Sequence, residues 1–395
     1  ASSPTSTKSA SMSEWREFEF GEIAEIQTGP FGSQLVKDEY IDGGIPVITV
    51  ENIKDFQIES FTYPSVTRDK STELGRYFIQ EGDVLFSRVG SVDLSALVKK
   101  EQDGWIISSR MLRARLNDFG NARFVAYFLQ QSKVRRYINA IAVGATMPSI
   151  NTSILKSVPI RLPQLETQIA IAEVLSSLDD KIDLLKRQNK TLEGMAEALF
   201  RQWFIEEAKD DWEEVEFNTI AENVRKVMKP ENLQGDVRLV GLEHFDSKSL
   251  VLNRYEQTNE LGSQKYKFEK GQIMFGKLRP YFHNISLPFF SGVCSTDILI
   301  IEARDDVWTI FAFFFLNQDW VVEAATQSAS GTRMPRTNWN FLGSLPVLLP
   351  EVESLSEFNT IARPMTEKIE KNWSEIRILN QQRDTLLPKL MSGEV

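Results

Sequence analysis

The sequence has few of the residues from which self-contained active sites are commonly built. Its 395 residues include two histidines and one cysteine, so a cluster of His and Cys ligands for a metal is excluded. The single Cys294 cannot form an intrachain disulfide and fits a reducing compartment, which predicts a cytoplasmic protein. No apolar run approaches the ~20 residues of a membrane span.

Catalytic motifs are also lacking. The chain has no Gly-x-x-x-x-Gly-Lys-Ser/Thr loop for nucleotide phosphates and no Asn/Asp-Pro-Pro-Tyr/Phe loop for an extruded base. His244 and His283 lack the motifs that accompany a Ser-His-Asp arrangement. We therefore predict a chain without catalysis, metal or cofactor of its own.

The charge balance argues against a simple polyanion binder. The formal net charge is −10, which favours protein partners over nucleic acid. Residues 68–136 are nevertheless locally basic, and much of the acidic excess lies in residues 206–216 and 351–357. Only a locally basic surface would allow this acidic chain to bind DNA.

The chain is organised around two long stretches with heptad spacing. The first follows Pro163 and lacks glycine and proline until Gly194, and the second follows Pro350. Apolar residues at alternating steps of three and four predict paired coiled-coil helices. We expect Pro364 and Pro388 to kink or end the second helix. The seam positions predicted to pair the helices or dock partners are Leu178, Ile182, Leu185, Asn189, Leu192, Ile369, Ile376, Leu379 and Arg383. Asn189 and Arg383 are polar positions that would fix the helix register.

The second stretch is part of a repeat of the whole first half. Ser157-Val158-Pro159 returns as Ser344-Leu345-Pro346 at an offset of 187 residues. Each helix is preceded by a module with matching motifs in the same order. These are Gly82-Asp83-Val84-Leu85-Phe86-Ser87-Arg88 with Gly271-Gln272-Ile273-Met274-Phe275-Gly276-Lys277, and Gly144-Ala145-Thr146-Met147-Pro148 with Gly331-Thr332-Arg333-Met334-Pro335. The repeat predicts two equivalent units.

We predict an α+β protein. Strand composition at residues 45–50, 83–87, 105–109, 111–116, 273–275 and 298–301 indicates modules that are rich in β-structure at their centres. One helix-like segment follows in each, at residues 122–141 and 308–325. The predicted boundaries are a disordered leader or tag at 1–11, a first module at 12–160, a first helix at 161–206, a second module at 207–348 and a second helix at 349–395.

Cations recur at matching places and are candidates for DNA contacts. Arg88 follows a strand in the first module, as Lys277 and Arg279 do in the second, and each could bind a phosphate or a base edge. Arg113 and Arg115 would share one strand face, which suits a groove and equally suits a row of surface salt bridges. The remaining candidates are Phe31, Ser33, Ser87, Arg333 and Arg336. Two structural alternatives are equally open: Phe31 could pack inward, and the Met-Pro turn could serve only to pack the module.

These motifs, in this order and duplicated, resemble the specificity subunit of type I restriction-modification systems. The most similar stretches are Gly21-Glu22-Ile23-Ala24-Glu25-Ile26-Gln27-Thr28-Gly29-Pro30-Phe31-Gly32-Ser33, the strand Gly82-Asp83-Val84-Leu85-Phe86-Ser87-Arg88, the turn Met147-Pro148-Ser149-Ile150-Asn151, and residues 158–168, which lead into the first helix. The second module departs from the pattern, because it lacks the Gly-Pro-Phe-Gly loop.

The resemblance implies two target-recognition domains related by a pseudo-twofold repeat and separated by two antiparallel coiled-coil helices. Each domain would read one half of a bipartite site in double-stranded DNA, and the helices would set the spacing. Two modification subunits that bind S-adenosylmethionine, and restriction subunits that use ATP, would be the protein partners. A coiled-coil scaffold that binds only proteins is the alternative, and the acidic net charge favours it.

Overall fold

The computed structural model describes residues 15–54, 56–59, 62–331 and 334–393. The predicted leader at residues 1–11 and the predicted site residue Arg333 lie outside these ranges. The chain divides into two units. The first comprises the residues up to Asp180 together with those from Leu379 onward, and the second runs from Lys181 to Ile378.

Most of the first unit consists of short strands and helices that precede a long helix. The strands are β1 Arg16–Glu19, β2 Ala24–Thr28, β3 Ile45–Ile48, β4 Ile53–Lys54, β5 Gln57–Ile58, β6 Ser65–Val66, β7 Val84–Ser87, β8 Ser95–Leu97, β9 Ile106–Ile107, β10 Met111–Leu116 and β11 Pro159–Leu162. The helices are α1 Phe20–Ile23, α2 Arg68–Glu73, α3 Ala122–Gln130, α4 Ser132–Ile141, α5 Thr152–Lys156 and α6 Leu165–Arg201, which continues into the second unit.

The second unit follows the same plan. Its strands are β12 Glu213–Glu216, β13 Ala221–Asn223, β14 Lys226–Met228, β15 Val237–Val240, β16 Glu256–Thr258, β17 Lys265–Phe268, β18 Ile273–Gly276, β19 Ile285–Ser286, β20 Gly292–Cys294, β21 Ile298–Ala303 and β22 Pro346–Leu349. Its helices are α7 Thr309–Leu316, α8 Asp319–Gln327, α9 Trp339–Gly343 and α10 Val352–Ser392, whose last turns belong to the first unit.

Each unit contains a four-stranded antiparallel sheet of the same order. In the first unit the order is β2-β10-β7-β8, and in the second it is β13-β21-β18-β19. Val84 to Phe86 of β7 and Ile273 to Phe275 of β18 are buried on both faces, which explains their continuous apolar sequence. The motif match in the sequence therefore corresponds to a match in strand order, and the chain is a mixture of helix and sheet as predicted.

The predicted helix of each module is interrupted once. Gln131 separates α3 from α4, and Gln318 precedes α8. Both adopt an extended backbone, and each side chain donates to a carbonyl of the preceding helix end, Phe128 O at 3.1 Å and Phe314 O at 3.0 Å. A glutamine side chain that donates to a free carbonyl in the last turn of a helix allows the chain to turn there.

The first helix starts later than predicted, because Arg161 and Leu162 belong to β11, which pairs with β1. Leu349 likewise belongs to β22, which pairs with β12. The prolines do not end the second helix, since α10 runs from Val352 to Ser392 through both. Around Pro364 the buried side chains of Phe358, Ala362 and Ile369 anchor the helix on the core, which offsets the lost backbone hydrogen bond.

Each unit encloses its own apolar core against the long helices. In the first unit Leu175 of α6 and Met391 of α10 pack with residues of α3, β7 and β10. In the second unit an aromatic cluster joins the end of α6 to α7 and α10. Its rings include Phe200, Phe204, Phe311, Phe314 and Phe358, with centroids 5.0 to 6.3 Å apart. Aromatic burial of this extent explains the phenylalanine-rich sequence of α7.

Candidate nucleic-acid interface

In the first unit the backbone ties the residue after β7 to the Met-Pro turn. Arg88 N donates to Arg110 O at 2.8 Å, and Ile150 N donates to Arg88 O at 3.0 Å. Two residues further along, Gly90 N donates to Pro148 O at 2.8 Å. Two motifs that are 60 residues apart in the sequence therefore form one surface at the end of the sheet.

The second unit repeats this network at equivalent positions. Lys277 N donates to Asp297 O at 2.9 Å, and Thr337 N donates to Lys277 O at 3.1 Å. Arg279 N donates to Pro335 O at 2.8 Å. The predicted strand-end cations thus lie beside the predicted Met-Pro turn in both units. We call this pair of elements the strand-end surface of each unit.

Side chains at the strand-end surfaces are accessible to a ligand. Met147 is 65% exposed and Met334 is 48% exposed. Arg279 is exposed, while Arg88 and Lys277 are half-buried. Each strand-end surface thus exposes one large apolar side chain beside a cation. The Met-Pro turn is therefore both a structural connection and an exposed feature.

The Gly-Pro-Phe-Gly loop presents an aromatic ring to solvent. Phe31 is 57% exposed, so its ring is not packed inward. The turn is fixed because Gln34 N donates to Phe31 O at 2.8 Å and Phe31 N donates to Gln34 Oε1 at 3.1 Å. Gly29 is required at the base of the loop, since a Cβ there would lie 1.9 Å from Ser108 O. The neighbouring Ser33 is exposed as well.

Two predicted site residues are buried, which corrects the prediction of an exposed role for them. Arg113 is 4% exposed, and it donates to Phe78 O at 2.8 Å and to Gln27 Oε1 at 2.6 Å. Burial lowers the pKa of its guanidinium from the usual value. Ser87 is fully buried, and its hydroxyl donates to Val89 O at 3.0 Å. Both side chains connect strands to loops inside the unit.

Two further arginines are held by carboxylates. Arg115 shares the strand face of Arg113 and contacts both oxygens of Asp83 at 2.8 Å. Arg336 contacts the oxygens of Asp297 at 2.9 and 3.1 Å, and this pairing lowers the pKa of the Asp297 carboxyl. Arg115 therefore belongs to a salt bridge within the module, the alternative that the alternating pattern left open. Arg336 stays at the strand-end surface with its charge paired.

The sequence did not single out some residues of these surfaces. The main-chain carbonyls of Asp297 and Arg110 accept hydrogen bonds from the backbone N–H groups of Lys277 and Arg88. In the sequence, only an alignment of the two modules shows that Asp297 and Arg110 occupy equivalent positions. Tyr281 and Phe282 are exposed directly after Arg279. The sequence signal that could have identified them is a pair of adjacent aromatic residues after Pro280, shortly past the end of a strand.

The predicted seam residues are largely shielded from solvent. Ile182, Leu185, Ile369 and Ile376 are buried, and Leu178, Leu192 and Leu379 are half-buried. In the second unit Asn189 accepts from Asn372 Nδ2 at 2.8 Å. In the first unit Arg383 Nη1 donates to Asp179 Oδ1 at 2.9 Å. Both polar seam positions thus contact a polar residue of the other helix, as register-fixing residues do.

Across residues 15–54, 56–59, 62–331 and 334–393, no group of three or more His, Cys, Asp or Glu side chains is placed to hold a metal ion. Within the same ranges, no helix has the length and apolar character needed to cross a membrane.

Comparison with known proteins shows which class of protein this chain resembles. Residues 12–194 match the family described as type I restriction modification DNA specificity domain. The MjaIX specificity subunit of Methanocaldococcus jannaschii is 26% identical over 416 aligned residues, which cover 97% of this chain and 94% of the relative. The EcoDI specificity subunit of Escherichia coli is 22% identical over 430 residues, which cover 97% of this chain and 89% of the relative.

A crystal structure of the S subunit of a type I restriction-modification system from M. genitalium has the same fold. It aligns with a TM-score of 0.60 at 19% identity and covers 97% of both chains. Residues 12–194 therefore match a type I DNA specificity domain, and the chain is similar over 97% of its length to proteins named type I specificity subunits. The resemblance predicted from the sequence is confirmed.

Proposed function

We propose that the chain recognises a bipartite DNA site for a type I restriction-modification complex, with one strand-end surface reading each half. The observation that carries this proposal is the repeated backbone network that joins a cation to an exposed Met-Pro turn in both units. The same scaffold with different side chains, Arg88 and Ser149 in one unit and Lys277 and Arg336 in the other, suits two half-sites of different sequence.

Local charge supports the proposal despite the acidic chain. The carboxylate beside the strand-end surface of the second unit is neutralised, since Asp297 pairs with Arg336. Arg279 remains exposed beside them. Contacts of this kind to phosphates position a protein on DNA, while base contacts specify the sequence. An acidic subunit of this kind would bind DNA tightly only with its modification subunits bound.

A selection experiment tests the proposal. The purified chain, alone and with its modification subunits, is mixed with a randomised duplex pool, and the bound DNA is sequenced. We expect a motif of a few base pairs on each side of an unspecified gap. An unenriched pool under both conditions would instead support the scaffold that binds only proteins, the function that the net charge of −10 favours.

We also propose that the paired helices set the gap. The helix α6 has 37 residues and α10 has 41, so they are about 55 and 60 Å long at ~1.5 Å per residue. Asn189 contacts Asn372, so an insertion must be made in both helices to preserve pairing. Seven residues inserted near Asn189 and seven near Asn372 should widen the gap by roughly three base pairs. An unchanged gap would refute the spacer role.

Docking of modification subunits is the third part of the proposal. The helices carry exposed apolar side chains outside the seam, namely Val174, Leu184, Met195 and Ile378. Exposed apolar residues on helices that already bury their seams are suited to a protein partner. In this assignment methylation with S-adenosylmethionine and cleavage with ATP belong to the partner subunits, and this chain supplies recognition.

Leu184→Ser tests docking, with Lys186→Ser as a surface control. We expect Leu184→Ser to weaken co-purification with modification subunits while thermal unfolding stays near that of the parent chain. Equal co-purification of both variants would remove Leu184 from the docking surface.

A further inference from the structure

The turn after Arg279 holds two aromatic rings out in solvent at the strand-end surface of the second unit. Tyr281 is 52% exposed and Phe282 is 49% exposed. Their ring centroids lie 4.8 Å apart with the planes inclined at 52°. The rings therefore contact each other, and a large part of each ring faces water. Such a pair is normally buried in a monomeric protein.

The backbone on both sides of the rings is in a conformation that residues other than glycine rarely adopt. Arg279 has φ 52° and His283 has φ 54°, so left-handed residues flank the turn Pro280–Phe282 on both sides. Strain of this kind persists only where the surrounding structure enforces it, and it concentrates at functional sites. The first unit has Gly90 at the position of Arg279, where a positive φ carries no such strain.

Both ends of the turn are held in place by contacts within the second unit. Arg279 N donates to Pro335 O at 2.8 Å, which joins the turn to the Met-Pro turn. At the other end His283 is buried, and its Nε2 lies 2.9 Å from Asn317 Oδ1. The rings are thus presented on a fixed support, which lowers the entropy lost when they bind a partner.

The chemistry around the rings favours nucleic acid as the partner. Lys277 and Arg279 precede the rings in the chain, and Met334 is exposed on the adjoining turn. Of the acidic groups near the turn, Asp319 pairs with Lys248 at 2.6 Å, and Glu323 lies with Tyr281 along the rim of a neighbouring cavity. Cations that can bind phosphates beside aromatic rings that can stack on bases are the combination found in nucleic-acid sites.

From these observations we infer that Tyr281 and Phe282 form a wedge that inserts beside the bases of the half-site read by the second unit and unstacks one base step. This inference rests on the proposed function, because it assigns a DNA-distorting element to one of the two strand-end surfaces. The equivalent turn of the first unit, Gly90-Ser91-Val92-Asp93, lacks aromatic residues. Unstacking should therefore occur in one half-site and not in the other.

The test uses the full chain with its modification subunits and a duplex carrying the motif that the parent complex selects. The variant Y281A/F282A removes both rings, and Phe119→Ala removes an exposed ring of the first unit as a control. Because stacking of bases on aromatic side chains contributes to binding, we expect the double variant to bind roughly tenfold or more weakly. The control should bind like the parent complex.

A second readout locates the distortion. With 2-aminopurine placed at successive positions, binding of the parent complex should raise fluorescence at one step of a single half-site, and Y281A/F282A should abolish that rise. Tyr281→Phe should retain it, because the ring remains.

The possible outcomes separate the wedge from the proposed function. If the parent complex selects no motif, the proposed function fails. If the parent selects a bipartite motif and Y281A/F282A binds it equally well with the same fluorescence, the wedge is refuted. The wedge is also refuted if the double variant no longer assembles with modification subunits, since the rings would then contact protein. Thermal unfolding near that of the parent would show that the variant is folded.

Discussion

The side-chain amide of Asn372 donates a hydrogen bond of 2.8 Å to the side-chain oxygen of Asn189, and both residues are buried between α6 and α10 in the second unit. The same amide donates to Gln188 Oε1 at 2.8 Å. A polar contact inside an apolar seam is satisfied in one register and lost in others. We interpret this pair as the residue contact that fixes the register of the helices there.

Replacement of Asn189 should destabilise the chain, because Asn372 then loses a hydrogen-bond acceptor. Asn189→Leu leaves one N–H of Asn372 buried without an acceptor, so we expect the free energy of unfolding to fall by about 1–2 kcal/mol. The double variant N189L/N372L should recover much of that loss, because an apolar pair needs no hydrogen bond. Urea unfolding of the three chains measures both effects. Equal stability of the single and double variants would contradict the interpretation.

The contact of Arg383 with Asp179 should contribute more to stability than an exposed ion pair. Arg383 Nη1 donates to Asp179 Oδ1 at 2.9 Å, and Tyr127 Oη donates to the other oxygen at 2.6 Å. Burial of Tyr127 raises its pKa, so it remains a donor. We expect Arg383→Met to lower the free energy of unfolding by about 1–3 kcal/mol.

The matched control is Arg363→Met, which breaks the exposed pair of Arg363 with Asp306. It should cost at most about 1 kcal/mol. If urea unfolding shows equal losses for both variants, the contact of Arg383 is an ordinary surface pair.

Glu193 should make the stability of the chain depend on pH. Burial raises the pKa of its carboxyl from the usual value of 4.5 to about 7, although Leu250 N donates to it. The folded chain then binds more protons than the unfolded chain between these values. The contribution of Glu193 is therefore present below about pH 4.5 and is lost as the pH rises through 7.

The comparison of the parent chain with Glu193→Gln isolates this effect, since the amide does not titrate. We expect the stability of the parent relative to the variant to fall by about 1–2 kcal/mol between pH 5 and 8, a value reduced for partial exposure. Urea unfolding at several pH values measures it. A constant difference across this range would show that the carboxyl titrates normally.

The cations of the second unit should contribute to the salt dependence of DNA binding. Each phosphate contact that is removed lowers the slope of log K against log salt by ~0.9. The variant K277A/R279A should therefore reduce the slope by roughly 1–2 for DNA carrying the selected motif. Lys209→Ala is the control, because Lys209 lies elsewhere in the unit and pairs with Glu351. A slope reduced equally in both variants would argue against a specific contact.

Much of the architecture follows from patterns that the sequence repeats. Heptad spacing predicted both long helices, and the strand at residues 111–116 is β10. The course of α10 through Pro364 could not be predicted, because it depends on tertiary packing of Phe358 and Ile369. The breaks before α4 and α8 depend on a glutamine side chain that reaches back to a carbonyl. Local secondary-structure propensity carries no information about such contacts.

The candidate site was predictable as motifs and not as a surface. The duplicated motifs predicted Arg88, Lys277 and the Met-Pro turns as candidates. In the structure, backbone hydrogen bonds between distant segments join these residues in each unit. Arg113 has the sequence features of a surface cation, yet it is buried, and its two Nη atoms donate to Phe78 O and Gln27 Oε1. Its burial depends on loops that meet only in the folded unit.

The most direct test of the account is whether each unit reads its own half of the site. Selection from a randomised duplex pool is carried out with the parent complex, with Arg88→Ala and with K277A/R279A, each bound to its modification subunits. We expect Arg88→Ala to weaken enrichment in one half-site only and K277A/R279A to weaken it in the other, with the gap unchanged. Loss of both halves in each variant, or of neither in both, would contradict independent reading by the two strand-end surfaces.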